Sequence, residues 1–247
     1  MTKIKIMLAA CAVTLGMNAQ AQEMTVDTIV ANYIENIGGQ DAIDELETLT
    51  YIGSVNAQGM DIPIKMINTN EGKQALTIEL QGQEMTQYAF DGKTMWSTNF
   101  MTMQPEEGTA EDAANMALDN NDFLDPIFGY KEKGYTAEYM GEETKDGTST
   151  YKVMLKTEPE MVDGKEVESI AYYYFDKDNF VPIIIETTMT SGPAAGQTSA
   201  ISMSDYREVD GVMFAHSMDQ GGQPIVIKEI LINEEIDESV FTMPKKN

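Results

Sequence analysis

The chain has 247 residues, of which 16 are Lys or Arg, 41 are Asp or Glu and one is His, so its formal net charge is −25. Hydrophobic residues make up 42% of the chain, which is enough for a packed core. The acidity disfavours nucleic acids and anionic membranes as partners, because both repel such a surface. A single His and a single Cys exclude most His- or Cys-based catalysis and most zinc sites.

The first 21 residues have the pattern of an export signal. Two lysines are followed by a mostly apolar stretch, residues 6–17, and by a small-residue cleavage motif that ends at Ala21. We therefore predict cleavage after Ala21 and export of a mature chain, residues 22–247, to the periplasm. The apolar stretch is shorter than the ~20 residues of a membrane-spanning helix, and no later segment approaches that length.

The same segment could instead be a lipoprotein signal, with cleavage before Cys11 and lipidation of its side chain, because the three residues before Cys11 match a lipobox. Cleavage before Cys11 would leave an apolar core of only five residues, residues 6–10, which is short for a signal. Cleavage after Ala21 is therefore favoured. It leaves 14 basic and 41 acidic residues, a formal charge of −27 and no cysteine, so the mature chain has no disulfide or thiol chemistry.

The mature chain is predicted to begin with a helix. Thr25 is a suitable N-cap, apolar residues then recur on one helical face as far as Ile37, and a Gly-Gly pair ends the pattern. A second short helix is expected at residues 41–46. Residues 110–118 predict a further helix, and residues 123–128 a short helical piece behind it.

From residue 49 onward the apolar period changes to two, which is typical of half-buried strands. Most of these runs are separated by short turns rich in Gly, Asn and Asp, so neighbouring strands are expected to pair antiparallel. The runs are residues 50–57, 62–68, 74–80, 85–90, 94–98, 135–142, 149–157, 168–175, 181–189, 198–206, 212–217 and 225–232.

The predicted fold is mainly β (α+β), with 11–12 antiparallel strands and few helices. So long a sheet must curl, because a flat open sheet would leave long unprotected edges. We expect a strongly curved sheet that forms an incomplete β-barrel, with the helices covering its concave face. No linker or repeat divides residues 22–247, which are therefore predicted to form a single domain.

No residue pattern in the sequence predicts an enzyme. His216 lacks a Gly-x-Ser-x-Gly nucleophile motif, and no pair among the many carboxylates is singled out for glycoside hydrolysis. The segment that starts at Asp176 resembles a calcium loop but has Phe180 and Val181 where a ligand and Gly are required. Arg207, the only arginine, suggests a local salt bridge. We predict no catalytic residue, metal site or cofactor, and a hydrolase is the weakest alternative.

Methionine is the unusual excess, with 19 residues, many of them inside the predicted strands. Methionine side chains are flexible and polarizable, so they serve either as core fillers or as the lining of an adaptable apolar cavity. Such a cavity suits an acyl chain, because each buried CH₂ group contributes about 0.8 kcal/mol before the costs of ordering.

Several motifs resemble those of the LolA/LolB-like proteins, the outer-membrane lipoprotein-sorting group of Gram-negative envelopes. They are IENIGG at residues 34–39, FDGKTMW at 90–96, YFD at 174–176, DYREVDGVMF at 205–214 and FTMP at 241–244. The resemblance implies an incomplete antiparallel barrel with a helical lid. It also implies an apolar cavity that carries lipoprotein acyl chains across the periplasm.

These observations together predict a periplasmic, non-catalytic carrier for lipid or lipoprotein acyl chains. The alternative is an envelope sensor or assembly protein with a side-chain-filled barrel and an envelope protein as its partner. Strand alternation alone leaves open which sheet face lines the cavity. The residues predicted to line it are Leu76, Ile78 and Leu80 on the sheet and Met95, Trp96, Phe100, Met103, Phe123 and Phe128 near the lid.

Overall fold

The computed structural model describes residues 24–118, 122–192 and 194–244. The predicted export signal, with Ala21 and Cys11, lies outside these residues. The helices are α1 (Val26–Asn36), α2 (Gln40–Asp44), α3 (Ala110–Leu118) and a C-terminal 3₁₀ helix (Glu238–Phe241).

Fifteen strands make up most of the described chain. They are β1 (Thr48–Ala57), β2 (Met60–Thr69), β3 (Gln74–Leu80), β4 (Gln83–Phe90), β5 (Met95–Asn99), β6 (Gln104–Glu107), β7 (Thr136–Lys145), β8 (Thr148–Lys156), β9 (Glu160–Val162), β10 (Lys165–Val167), β11 (Ile170–Asp176), β12 (Pro182–Thr188), β13 (Thr198–Val209), β14 (Val212–Gln220) and β15 (Gln223–Ile232).

Thirteen of these strands form one antiparallel sheet in the order β6-β5-β4-β3-β2-β1-β15-β14-β13-β12-β11-β8-β7. Most neighbours are consecutive hairpins, and the pairing of β15 with β1 joins the two halves of the chain. Strands β9 and β10 form a separate hairpin. The sheet is curved but not closed into a barrel, which confirms the predicted fold class.

Helix α1 begins and ends as its sequence predicts. The Thr25 hydroxyl accepts a hydrogen bond from the Thr28 amide at 3.2 Å, which caps the first turn. At the other end, the Met213 amide in β14 donates to the Ile37 carbonyl at 2.9 Å. Gly38 follows with a φ of +131°, and a Cβ there would lie 2.4 Å from the Gly211 carbonyl oxygen. Only glycine permits this close docking of the helix end on the sheet.

The three α-helices lie on one side of the sheet, which we call the inner face. The first core cluster joins α1 and residues 127–135 to inner-face side chains of β8 and β11, among them Val153, Leu155 and Phe175. The second joins Leu46, just after α2, to Leu49 in β1 and to β14 and β15. These two clusters bury the inner face over the β7–β11 part of the sheet and near its centre.

A third cluster lies on the opposite, outer face. Ile67, Ala75, Ala89 and Trp96 are successive partners across β2, β3, β4 and β5, so their side chains point to the same side. They pack against Phe241 of the C-terminal 3₁₀ helix. The Trp96 indole Nε1 donates to the Phe241 carbonyl at 3.0 Å and ties the chain end to the sheet.

The predicted strands are confirmed with shifts of one to three residues at their ends, whereas β6, β9 and β10 were not predicted. Strand β6 contains a proline and no apolar alternation, and it forms only because an edge strand tolerates both. The helical piece expected at residues 123–128 is wrong, because this segment runs in turns. Its turns are held by hydrogen bonds of Asp125, which no helical pattern reveals.

Truncation of Phe241 is expected to destabilise the fold strongly. Its side chain is 1% exposed, so Phe241→Ala leaves a cavity between the chain end and the sheet and costs about 3 to 5 kcal/mol of unfolding free energy. Urea denaturation of the mature chain measures this loss. The exposed neighbour Ser239→Ala is the control and is expected to change stability by less than about 0.5 kcal/mol. Equal stability of the two variants would show that the chain end is not part of the cooperative core.

Candidate functional site

The pairing of strands decides which residues of β1 to β5 face inward. Leu49 lies in the second cluster on the inner face, and it pairs with Asn68, which pairs with Gln74. Directly paired residues of antiparallel strands project to the same side, and side chains alternate along each strand. Residues 66, 64 and 62 of β2 and residues 76, 78 and 80 of β3 therefore also project inward.

Three rows of directly paired residues carry apolar side chains across this part of the inner face, and we call them the apolar belt. All of them are half-buried, and nine of the twelve lie outside the three core clusters. The belt is thus an apolar surface that no element in the described chain covers fully. The rows are Met203, Met218, Ile225, Val55 and Ile62; Ile64, Ile78 and Met85; and Tyr51, Met66, Leu76 and Tyr88.

A cavity of about 510 Å³ continues the belt between β12, β13 and the end of α1. Its apolar lining comes from Val181, Ile183, Met203 and Met213. The other lining residues of the cavity are polar, and they are Asn36, Asp176, Asn179, Ser204 and Tyr206. The Asn36 side-chain amide donates to the Asn179 carbonyl at 2.7 Å. A cavity of this volume, with apolar and polar groups in its lining, is large enough for a small molecule.

Leu76 and Ile78 belong to the belt, and Leu80 projects to the same inner face. Met95 also faces inward, because its pair Phe90 is the partner of Gln74. A second, smaller cavity of about 320 Å³ lies between Met95 and α3. The structure therefore brings four of the predicted lining residues to the helix-covered face.

Trp96 lies on the outer face, one residue after Met95, and is buried against Phe241. It is therefore separated from the belt by the sheet itself. Phe100 and Met103 lie in the exposed turn between β5 and β6, where they are 47% and 48% exposed. The sequence showed that side chains alternate along β5. It did not show how β5 pairs with its neighbour, and this pairing decides which of its two faces is the inner one.

Phe123 and Phe128 lie in the segment that follows α3, beneath the inner face. Phe123 packs against the second core cluster, and Phe128 packs against the first. The Phe128 ring is 5.1 Å from that of Tyr33 in α1, measured between centroids. Both residues help to hold the segment after α3 on the sheet, and Phe123 also lines a cavity with Asn68 of β2 and Gln74 of β3.

A buried carboxylate holds the same segment in place. Asp125 accepts hydrogen bonds from the Tyr173 hydroxyl of β11 at 2.8 Å and from the Ile127 amide at 3.0 Å. The Tyr33 hydroxyl of α1 donates to its other oxygen at 3.4 Å. One side chain thus links the segment to a helix and to the sheet. Sequence reasoning did not single out Asp125, since an isolated Asp before Pro reads as an ordinary turn residue.

The surroundings of Asp125 alter its acidity. Burial raises the pKa of the Asp125 carboxyl to about 6, although the hydrogen bonds from Ile127, Tyr173 and Tyr33 oppose the rise. Burial and the neighbouring Asp125 raise the pKa of the Tyr33 and Tyr173 hydroxyls well above its ordinary value. Both tyrosines therefore remain protonated donors at physiological pH.

The residues that the sequence analysis considered for catalysis or metal binding make local structural contacts. His216 is buried, and its Nδ1 lies 3.0 Å from the Phe214 carbonyl oxygen. Arg207 pairs with the nearby Asp205 on the surface. Asp176 accepts from the backbone amides of residues 178 and 179, as a turn residue does. Within the described ranges, no group of three or more His, Cys, Asp and Glu side chains is arranged to hold a metal ion.

Sequence reasoning missed the part of the belt on β1 and β13 to β15. Val55, Met203 and Ile225 lie in predicted strands, and Met218 directly follows the predicted strand of residues 212–217; the two methionines belong to the unusual excess. Their apolar alternation was a usable signal. What the sequence lacked was the pairing of β15 with β1, which places the two ends of the chain side by side.

Solved structures of other proteins share this architecture. A DUF1329 family protein from Desulfovibrio piger aligns with a TM-score of 0.55 at 15% identity, over 88% of this chain and 97% of its own. A LolA superfamily protein from Nitrosomonas europaea aligns with a TM-score of 0.54 at 12% identity, over 89% and 98%. A putative outer membrane lipoprotein-sorting protein domain from Vibrio parahaemolyticus gives 0.53 at 11%, over 88% and 95%.

These identities are low, so the likeness concerns the fold. No protein-family model matches the chain, and no curated protein matches it significantly in sequence. The resemblance to the LolA/LolB-like group is confirmed at the level of the fold. The open, curved sheet with few helices matches the fold of these solved structures.

Asp125 predicts a pH-dependent stability. Its pKa is about 6 in the folded chain against 3.8 for a free side chain, so the folded state binds the proton more tightly. Its contribution to stability is therefore greatest below pH 4 and falls by about 3 kcal/mol as the pH rises to 6. Asp125→Asn keeps the hydrogen-bond acceptor but does not titrate. Urea denaturation across this range should show Asp125→Asn gaining about 3 kcal/mol relative to the unmodified chain.

A second variant tests the same assignment. Tyr173→Phe removes a hydrogen bond that lowers the pKa of Asp125, so the pH window should move upward. A stability difference between Asp125→Asn and the unmodified chain that is constant with pH would contradict the assignment.

Proposed function

We propose that this protein is a non-catalytic carrier that binds the acyl chains of a lipid or lipoprotein on its inner face. The observation that carries the proposal is the apolar belt, which is wide, continuous across the sheet centre and only half-buried. A filled core would bury these side chains, whereas a binding surface leaves them available. The belt offers no nucleophile or general base, so binding there involves no chemistry on the ligand.

The physical cost of leaving the belt half-exposed also supports a ligand. Each apolar side chain that moves from water into an apolar contact contributes up to about 1.5 to 3 kcal/mol. An acyl chain laid along the belt recovers this energy for several side chains at once. The methionines in the rows adapt their shape to chains of different length or saturation.

The name of one structural neighbour, an outer membrane lipoprotein-sorting protein domain, supports the same class of ligand for this chain. We place the carrier in the periplasm of a Gram-negative envelope, as residues 1–21 predict. In the described parts of the chain, no helix is both long enough and apolar enough to cross a membrane.

Ile78→Asn tests the belt directly. The side chain projects inward next to Ile64 and Met85, so a polar amide there is expected to weaken binding of a fluorescent fatty acid about tenfold. Thr77→Asn is the matched control, since residue 77 is on the same strand but faces outward. Fluorescence titration of both variants, after circular dichroism confirms their folding, provides the measurement. Equal affinity of the two variants would contradict binding on the inner face.

Native mass spectrometry identifies the natural ligand. The chain of residues 22–247, purified from a periplasm without detergent, should show a mass excess that organic solvent extracts as lipid. A bare mass that stays bare after incubation with fatty acids, phospholipids and a triacylated peptide would contradict the carrier. That result would favour the alternative of a side-chain-filled barrel that binds an envelope protein.

A further inference from the structure

The hairpin order of the sheet sends its turns to two opposite ends. Consecutive antiparallel strands place successive turns at alternate ends, and the pairing of β1 with β15 aligns the two halves. One end therefore holds five turns that we call the neutral rim: residues 58–59, 81–82, 100–103, 189–192 with 194–197, and 221–222. The other end holds five turns that we call the charged rim: residues 70–73, 91–94, 146–147, 177–181 and 210–211.

The two rims differ completely in charge. None of the turns of the neutral rim contains Asp, Glu, Lys or Arg, whereas every turn of the charged rim contains at least one. The neutral turns consist instead of Gln, Gly, Thr, Ser, Ala, Met and Phe. In a chain with a net charge of −25, five turns without a charged residue are a marked departure from the rest of the surface.

Exposed apolar side chains gather at the same end. Met101 is 95% exposed at the tip of the β5–β6 turn, although a large apolar side chain at that exposure gains nothing from folding. Six of the seven exposed large hydrophobic residues in the described chain lie in the neutral rim or within four residues of it. They are Met60, Phe100, Met101, Met103, Met189 and Val226, and the seventh is Met140 in β7.

The acids nearest to the neutral rim mostly point away from the belt. Asp61, Glu84 and Asp219 each lie next to an inward-facing belt residue on their strand, so they face outward. The acidic connection between β8 and β11 also reaches this end: the Thr190 hydroxyl of the β12–β13 turn donates to the Glu160 carboxylate at 2.7 Å, and the Asn115 amide of α3 donates to the Met161 carbonyl at 2.8 Å. The uncharged zone therefore comprises the β1–β2, β3–β4, β5–β6 and β14–β15 turns.

The apolar belt reaches this rim. Val55 and Ile62 pair two residues from the β1–β2 turn, and Leu80 directly precedes the β3–β4 turn. Ile225 lies in the third position of β15, just after the β14–β15 turn. An acyl chain could therefore pass between the rim and the belt without crossing a charged surface.

We infer that the neutral rim docks on the surface of a lipid bilayer, with the exposed Met and Phe side chains entering the headgroup region. The charge distribution favours this occupant. A uniformly acidic protein is repelled by anionic lipid, but an uncharged end lets it approach in one orientation only. Scattered apolar side chains on exposed turns suit a fluid lipid surface, whereas a protein interface needs a continuous complementary patch. The inference deepens the proposed function, because docking brings the belt to its ligand.

The absence of cysteine from residues 22–247 allows a direct test. Met101→Cys is labelled with an environment-sensitive fluorophore, and Met140→Cys, 48% exposed in β7, is the matched control. Vesicles of phosphatidylcholine, and of phosphatidylethanolamine with phosphatidylglycerol at about 3:1, are then added in excess. The label at residue 101 should brighten about threefold or more and be quenched by brominated lipid, because it leaves water. The label at residue 140 should not change.

Three outcomes would overturn the inference. The first is that neither label responds to vesicles. The second is that both labels respond equally, which would indicate adsorption without a fixed orientation. The third is that the fluorescence of the label at residue 101 changes with protein concentration in the absence of lipid, which would assign the rim to contact with a second copy of the chain. Binding of a fluorescent fatty acid by the same labelled proteins is read separately. Loss of fatty-acid binding would count against the proposed function, and loss of the vesicle response alone would count against the rim.

A variant that lacks exposed apolar side chains and a change of ionic strength test the docking further. The double substitution Met60→Ser and Met101→Ser changes two exposed side chains of the neutral rim and should reduce vesicle flotation about tenfold, with fatty-acid binding unchanged. Raising the ionic strength from about 0.01 M to about 0.15 M shortens the Debye length from about 30 Å to about 8 Å. Binding to the anionic vesicles should therefore rise with salt. A fall with salt would indicate electrostatic attraction and contradict docking by an uncharged rim.

Discussion

The structure depends on one geometric constraint, which is that three short helices cannot cover the inner face of a thirteen-stranded sheet. Helix α1 and residues 127–135 cover the β8–β11 part of the sheet, and residues around α2 cover its centre. The side chains of the apolar belt also face inward, and no element in the described chain buries them fully. The proposed binding surface follows from this shortage of cover.

The cover that exists is attached by polar contacts as well as by packing. Asp125 joins the segment after α3 to a tyrosine of α1 and to a tyrosine of β11. A buried carboxylate is costly, and the three hydrogen bonds it accepts offset only part of the cost, as its raised pKa shows. The attachment is therefore specific in geometry rather than strongly stabilising. The chain end makes a comparable attachment on the outer face through Trp96 and Phe241.

The two ends of the sheet differ in the charge of their turns. Many acidic residues lie on the outer face and in the charged rim, where water solvates them, whereas the five turns of the neutral rim contain none. A protein that collects or delivers an apolar ligand faces two opposed requirements: it must stay dispersed in water and still approach an apolar source. Both requirements are met when the charged turns lie at one end of the sheet and most of the exposed apolar side chains lie near the other.

The sequence by itself determined the local elements of this protein. Period-two apolar alternation and Gly-containing turns located twelve of the thirteen strands of the main sheet, and the cap at Thr25 and the pattern of residues 110–118 located helices α1 and α3. These signals are local, because they depend on the alternation of side chains and on the backbone freedom of glycine. Only the tertiary structure decided which face of each strand is inner. That choice placed Trp96 outside and Met95 inside, and it joined Val55 to Ile225 across the chain. The physical reason is that a strand offers two faces of similar composition, and the pairing partners that select between them are distant in sequence.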